Sequence, residues 1–143
     1  MQSNNLKITP SNIQQLKHNQ IFVFGSNLAG IHGAGAAKTA LKWGAKWKQG
    51  IGLAGNTYAL PTKDQHIIKL SISEIEKYVL MFISFAIKHP ELEFLVTSIG
   101  CGLAGYTAKD IAPLFKPAIA LNNIYLPSSF WTVLNEIKSN SKK

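Results

Sequence analysis

The chain contains no arginine, and this absence restricts how it can bind phosphate. All 15 of its basic residues are lysines, against seven acids, so the formal net charge is +8. Without a guanidinium fork, a phosphate site must use lysine, backbone N–H groups or a helix N-terminus. The charge favours an anionic partner such as a nucleotide or nucleic acid. A solvated, lysine-rich surface is the alternative explanation.

Cysteine is almost absent, and long apolar runs are missing. Cys101 is the single cysteine, so an internal disulfide is excluded. No apolar run reaches the roughly 18 residues that a membrane helix needs, and no signal peptide is recognisable. No Cys/His spacing is typical of zinc, so we expect no metal and no cofactor. We expect a cytoplasmic protein without a membrane partner, built as one domain over residues 1–143.

Short apolar runs alternate with helical patterns along the chain. The runs predict buried strands at Ile21–Phe24, Thr57–Leu60, Phe94–Ile99 and Asn123–Leu126. Helices are expected at 11–18, 34–48, 73–89, 107–121 and 128–138, with polar ends at 1–5 and 139–143. The third helix is predicted to open with a capping box at Ser73 and Glu76. The fourth is predicted to open with Thr107 and Asp110 and to be kinked or delayed by Pro113 and Pro117. This alternation predicts an α/β fold, a three-layer α/β/α sandwich with a mixed, mainly parallel sheet.

Ligands of such sheets bind beyond the carboxyl ends of the strands, so the loops that follow the strands are candidate sites. The first loop, Gly25–Gly35, is rich in glycine and alanine and leads into a helix. Glycines let a backbone approach a phosphate closely, and the helix offers free N–H groups. The candidate ligand-binding residues here are Gly25, Ser26, Asn27, Gly33, Ala34, Gly35 and Lys38.

A second glycine loop follows the predicted third strand and also enters a helix. Its candidate ligand-binding residues are Gly100, Cys101, Gly102, Leu103, Ala104, Gly105 and Tyr106. Facing the first loop across a crevice, it is suited to a ribose or a second phosphate. Tyr106 either stacks on a base or packs over its own loop. Cys101 is interpreted as a packing residue, because no histidine adjoins it in sequence to activate a thiolate.

A third loop at the same expected edge, Pro61–His66, contributes Thr62 as a ligand-binding residue and Asp64 as a candidate acid. Asp64 is suited to orienting a ribose hydroxyl or activating a water molecule. His32, inside the first loop, is the candidate proton donor or acceptor near a phosphate. The alternatives are an exposed turn for Asp64 and a partly exposed loop histidine for His32.

Trp43 and Trp47 lie among Lys38, Lys42, Lys46 and Lys48. Tryptophans among lysines are typical of a surface that stacks on nucleic-acid bases. More often such tryptophans pack a helix onto a sheet. Nucleic acid is therefore an alternative partner rather than the expected one.

Two segments resemble a known family, namely Gly33-Ala-Gly-Ala-Ala-Lys-Thr-Ala-Leu-Lys-Trp-Gly44 and Ile99-Gly-Cys-Gly-Leu-Ala-Gly105. Over roughly Ile21 to Phe115 the chain resembles the macrodomains, and especially the subgroup of the terminal ADP-ribose protein glycohydrolase. It looks like a small stand-alone version from bacteria or their phages. The resemblance implies a fold that binds ADP-ribose, with the diphosphate and distal ribose on the two glycine loops. Asn27 is similar in position to an asparagine that touches the distal ribose.

The chain also departs from that subgroup. Ala104 stands where the glycohydrolases keep a catalytic aspartate, and their catalytic lysine falls near Leu41, with Lys38 or Lys42 as imperfect substitutes. One expectation is hydrolysis of an ADP-ribose derivative, by 1″-phosphate removal or de-ADP-ribosylation, with His32, Asp64 and Asn27 as catalytic residues. The alternatives are a binding module without chemistry and a nucleic-acid-binding surface. The oligomeric state is left open.

Overall fold

A computed structural model describes residues 6–141 of the chain, and their side chains as far as residue 138. Residues 1–5 and 142–143, which belong to the predicted polar ends, lie outside the described residues. Residues 139–141 are helical and extend the last helix beyond its predicted end at residue 138.

The described part of the chain contains one five-stranded sheet. Its strands are β1 Gln20–Asn27, β2 Gly52–Ala54, β3 Thr57–Lys63, β4 Glu93–Val96 and β5 Ile124–Tyr125, in the order β2-β3-β1-β4-β5. Every neighbouring pair is parallel except β2 and β3, which are antiparallel. The expected mixed, mainly parallel sheet is confirmed. The hydrophobic runs do not predict β2, because it has only three residues and begins at a glycine.

Helices cover both faces of this sheet. They are α1 Gly35–Ala40, α2 Ile72–Ile87, α3 Ala108–Ile111 and α4 Ser128–Ser141, with 3-10 helices at Leu41–Trp43 and Ala112–Ala120. Successive residues of β1 point to opposite faces. Ile21 and Val23 join the larger core, with α2, α3 and α4, whereas Phe22 and Phe24 join the smaller core under α1. The three-layer α/β/α sandwich is therefore confirmed.

Two predicted helices are wrong or too long. Residues 11–18 are not helical; an isolated helix of this length is marginal, and the segment packs Ile13 and Leu16 on the smaller core instead. The helix predicted over 34–48 ends as the 3-10 turn Leu41–Trp43. Gly44 terminates it with φ 110°, a left-handed conformation that suits glycine.

Two other helices differ at their starts or in their geometry. The predicted capping box at Ser73 is displaced by two residues, because Ser71 caps α2 and exchanges hydrogen bonds with Glu74. The helix predicted over 107–121 is α3 followed by a 3-10 helix. Pro113 and Pro117 lack the N–H that a continuous α-helix requires there.

Candidate functional site

A cleft of about 580 Å³ opens at the carboxyl ends of β1, β3 and β4. All three predicted loops contribute to it, because the carboxyl ends of parallel strands lie at the same edge of a sheet. Twelve of the predicted ligand-binding residues line this cleft: Gly25, Ser26, Asn27, Gly33, Ala34, Gly35, Thr62, Gly100, Cys101, Gly102, Leu103 and Ala104. Lys38, Gly105 and Tyr106 are not among the residues that line it.

The polar floor of the cleft belongs to strands rather than loops. Gly25, Ser26 and Asn27 are the last residues of β1, and Thr62 lies in β3. The Ser26 hydroxyl donates to the Gly50 carbonyl, and the Thr62 hydroxyl donates to the Ser26 carbonyl at 3.3 Å. These side chains therefore fix the backbone at the end of the sheet and leave the backbone itself to face the cleft.

Asn27 closes the first loop with both ends of its amide. Its Oδ1 accepts from the Ile31 N–H at 3.0 Å, and its Nδ2 donates to the Ile31 carbonyl at 2.8 Å. The side chain is 8% exposed. Its hydrogen bonds hold the loop in shape, and the ribose contact that the resemblance implies for this cleft-lining residue stays a prediction.

His32 does not line the cleft, because its side chain is fully buried behind the first loop. Its Nε2 bonds the Lys46 carbonyl at 2.8 Å, and its Nδ1 is buried without a partner. The ring packs edge-on against Phe24 and beneath Trp47, at centroid distances of 5.3 and 5.9 Å. The structure therefore places this candidate proton donor in the packing between the loop and Trp47, outside the cleft lining.

Asp64 also lies outside the cleft lining, in a turn that its carboxylate organises. Oδ1 accepts from the N–H groups of Ile68 and His66, at 3.0 and 2.8 Å. The bond from Ile68, helped by that from His66, lowers the pKa of Asp64. A carboxylate with a lowered pKa is ionised and a weak base near neutral pH. Its observed role is to hold the turn that carries Ile67 to the cleft.

Tyr106 anchors the second loop instead of offering a ring to a ligand. Its hydroxyl donates to the Leu70 carbonyl at 2.6 Å, and Lys69 Nζ lies 4.4 Å from the ring centroid. These two contacts lie outside the second loop and join it to the segment before α2. Next to it, Asp110 accepts from the N–H and hydroxyl of Thr107, and these bonds lower the pKa of Asp110.

Cys101 is partly exposed at the wall of the cleft. Its Sγ donates to the Ile99 carbonyl at 3.4 Å. Burial raises the pKa of the thiol, and the negative charge of Asp110 raises it further. A raised pKa keeps the thiol protonated near neutral pH, which does not suit a nucleophile.

Charged side chains are scarce in the cleft. Among the described residues that line it, Lys63 carries the one charged side chain, and no Asp, Glu or His is present. Sequence reasoning did not select Lys63 as a site residue, although it directly follows Thr62. The described cleft lining therefore offers one cation and much backbone, and it lacks the histidine or carboxylate that general acid or base catalysis most often uses.

A second cavity of about 370 Å³ adjoins the first and shares Ala36, Thr97 and Ser98 with it. Hydroxyl groups are frequent in its wall, from Thr9, Ser11, Thr39, Ser128 and Ser129. The buried Thr9 Oγ1 has no hydrogen-bond partner. Sequence reasoning missed this cavity because its walls come from segments far apart in the chain, and only the hydroxyl-rich stretches at 9–11 and 128–129 signal it.

No protein-family model, curated protein or solved structure matches the chain. The similarity to macrodomains therefore stays a prediction based on the two loop motifs. Within residues 6–141, no group of His, Cys, Asp and Glu is arranged to hold a metal ion. In the same residues, no helix is both long and apolar enough to cross a membrane.

Proposed function

We propose that the protein binds ADP-ribose or a related adenine nucleotide in the cleft. The observation that carries this proposal is the position of three glycines that the fold does not itself require. Of the 11 glycines, Gly25, Gly33 and Gly102 alone combine an ordinary φ with no contact below 3.4 Å for an added Cβ. All three line the cleft. Space kept free by glycine at a loop backbone is typical of a phosphate or ribose site.

The connected cavities support an elongated ligand with two halves. In this proposal the diphosphate and distal ribose lie against the two glycine loops, with Lys63 as the cation. The adenosine half lies in the hydroxyl-lined cavity beside Thr9. Ser98 stands at the junction of the two cavities, and its exposed hydroxyl has no partner among the described residues. Such a hydroxyl is free to bond a ligand that spans both cavities.

The composition of the cleft favours binding over hydrolysis. The two predicted proton carriers, His32 and Asp64, make internal hydrogen bonds outside the cleft lining. Ala104 lines the cleft where the resembled glycohydrolases keep their aspartate. We therefore propose a binding module as the function, with removal of a 1″-phosphate or of protein-linked ADP-ribose as the hydrolytic alternative.

Calorimetry with ADP-ribose, ADP, AMP and ribose 5-phosphate tests the proposal. ADP-ribose is expected to bind, and Gly33→Ala and Gly102→Ala are each expected to weaken it at least tenfold without changing the melting temperature. Lys63→Ala should also weaken it, whereas the matched control Lys77→Ala, at an exposed position of α2, should not. If none of these compounds binds, the proposal is wrong.

Incubation of the protein with ADP-ribose 1″-phosphate and with an ADP-ribosylated peptide separates binding from chemistry. We expect both compounds to remain intact when followed by chromatography. Formation of free ADP-ribose, at a rate that depends on protein concentration and is abolished in Gly33→Ala, would instead establish the hydrolytic alternative.

A further inference from the structure

Acidic residues are absent from the first 63 positions of the chain. All seven acids lie at Asp64 or beyond it, whereas seven of the 15 lysines precede it. This acid-free segment forms β1, β2, β3 and α1, and it supplies every residue of the smaller core. The formal charge of these 63 residues is therefore entirely positive, and they include all of the smaller core.

The same side exposes an aromatic ring. Trp47 is 54% exposed, whereas Trp131 is 7% exposed and Trp43 packs on Phe22 with a centroid distance of 4.9 Å. The expectation that the tryptophan pair packs a helix onto the sheet thus holds for Trp43 only. One side of the Trp47 ring rests near buried His32, and more than half of the side chain remains open to solvent.

Exposed lysines lie close to this tryptophan in the sequence. We call the basic face the set Lys38, Lys42, Lys46, Trp47 and Lys48, all of which are exposed. Lys42 Nζ lies 4.5 Å from the centroid of the Trp43 ring, and no lysine of the face has an ion pair with any residue from 6 to 141. Their charges are consequently available to a partner.

We propose that the basic face binds single-stranded nucleic acid. Lysines neutralise backbone phosphates, and an exposed aromatic ring stacks on an unpaired base. A duplex keeps its bases stacked on each other, and an acidic peptide need not present a ring to Trp47, so a single strand uses both features of the face. None of the five residues lines the nucleotide cleft, so this function is separate from the proposed one.

Fluorescence anisotropy with a short labelled oligothymidylate tests this surface at salt concentrations from about 50 to 200 mM. We expect binding that weakens steeply with salt, together with quenching of tryptophan emission. Trp47→Phe should remove most of the quenching, because Trp47 is the most exposed of the three tryptophans, whereas Trp43 is half-buried against Phe22 and Trp131 is buried. A plot of log K against log salt concentration has a negative slope. The double variant K46Q/K48N should make this slope less negative by about 0.7 for each phosphate that the protein no longer neutralises.

The double variant is chosen to preserve the fold. Lys46 bonds His32 through its backbone carbonyl, and asparagine tolerates the positive φ of 74° at Lys48. The matched control K77Q/K116N removes the same charge from exposed positions elsewhere and should leave the affinity unchanged. ADP-ribose binding by K46Q/K48N should equal that of the unmodified protein, which keeps this test independent of the cleft.

Four results would overturn the proposal. They are no binding at low salt, equally weakened binding in the two double variants, quenching that survives Trp47→Phe, and duplex DNA or phosphatidylserine vesicles bound as tightly as the single strand.

Discussion

Cys101 is the one thiol of the chain, and its place in the cleft wall makes it a reporter of binding. Because burial and Asp110 raise its pKa, we expect iodoacetamide to modify it more slowly than free cysteine at pH 7.5. Saturating ADP-ribose should slow the reaction further. Mass spectrometry of the intact protein over time measures both effects, and modification at the rate of free cysteine would contradict the proposed protonated thiol.

The contacts of His32 are those of a histidine that stabilises the fold. Its ring fills the space between Phe24 and Trp47 and bonds the Lys46 carbonyl. We expect His32→Ala to reduce the free energy of unfolding by about 2–4 kcal/mol, because it leaves a cavity and removes a hydrogen bond. Urea unfolding measures this. His66→Ala, at an exposed position, serves as the control, and equal stability of the two variants would contradict the packing role.

At the scale of elements, the start of α2 offers two serines with different structural roles. The Ser71 hydroxyl accepts from the Glu74 N–H at 3.2 Å and caps the helix, whereas Ser73 lies inside it. We expect Ser71→Ala to reduce the free energy of unfolding by about 1 kcal/mol, as loss of an N-cap does. Ser73→Ala should have a much smaller effect in the same urea titration. If Ser73→Ala were the more destabilising of the two variants, Ser73 would be the N-cap, as predicted from the sequence.

The capping example shows how far sequence patterns define an element. Hydrophobic runs locate the central strands because burial on both faces of a sheet demands continuous apolar residues. They do not locate boundaries, since Ser71 and Ser73 both satisfy the local pattern and only the tertiary contacts of α2 select one. Likewise, the glycines predict that the loops after β1 and β4 line a cleft, whereas only the folded structure shows that His32 is buried behind its loop.

At the scale of the whole molecule, sequence reasoning predicts the cleft but not its extension. The cleft follows from parallel strands that end at one edge, which is a property of the fold class. The second cavity combines residues near Thr9 and Ser128, which are brought together by a parallel bridge between Ile8 and Leu126. A contact across so much of the chain leaves no local pattern. The full extent of the two adjoining cavities is thus visible only once the chain is folded.

The acid stability of the molecule should depend on the two carboxylates that hold the rim of the cleft. Hydrogen bonds lower the pKa of both Asp64 and Asp110 from their ordinary value of 3.8. The ionised forms are therefore favoured in the folded state. Their stabilising effect is fully present above pH 3.8, and it is lost as the pH falls through the lower folded-state pKa.

We accordingly expect the double variant D64N/D110N to be less stable than the unmodified protein at pH 6, with the difference shrinking toward pH 2.5. Urea unfolding across this range measures the difference, and the double variant E76Q/E91Q, at two exposed acids, controls for the change of two in net charge. The net charge of +8 grows as acids are protonated, and the repulsion grows with it. The free energy of unfolding of both proteins should therefore decrease in acid. A difference that stays constant with pH would show that neither carboxylate stabilises the fold through its charge.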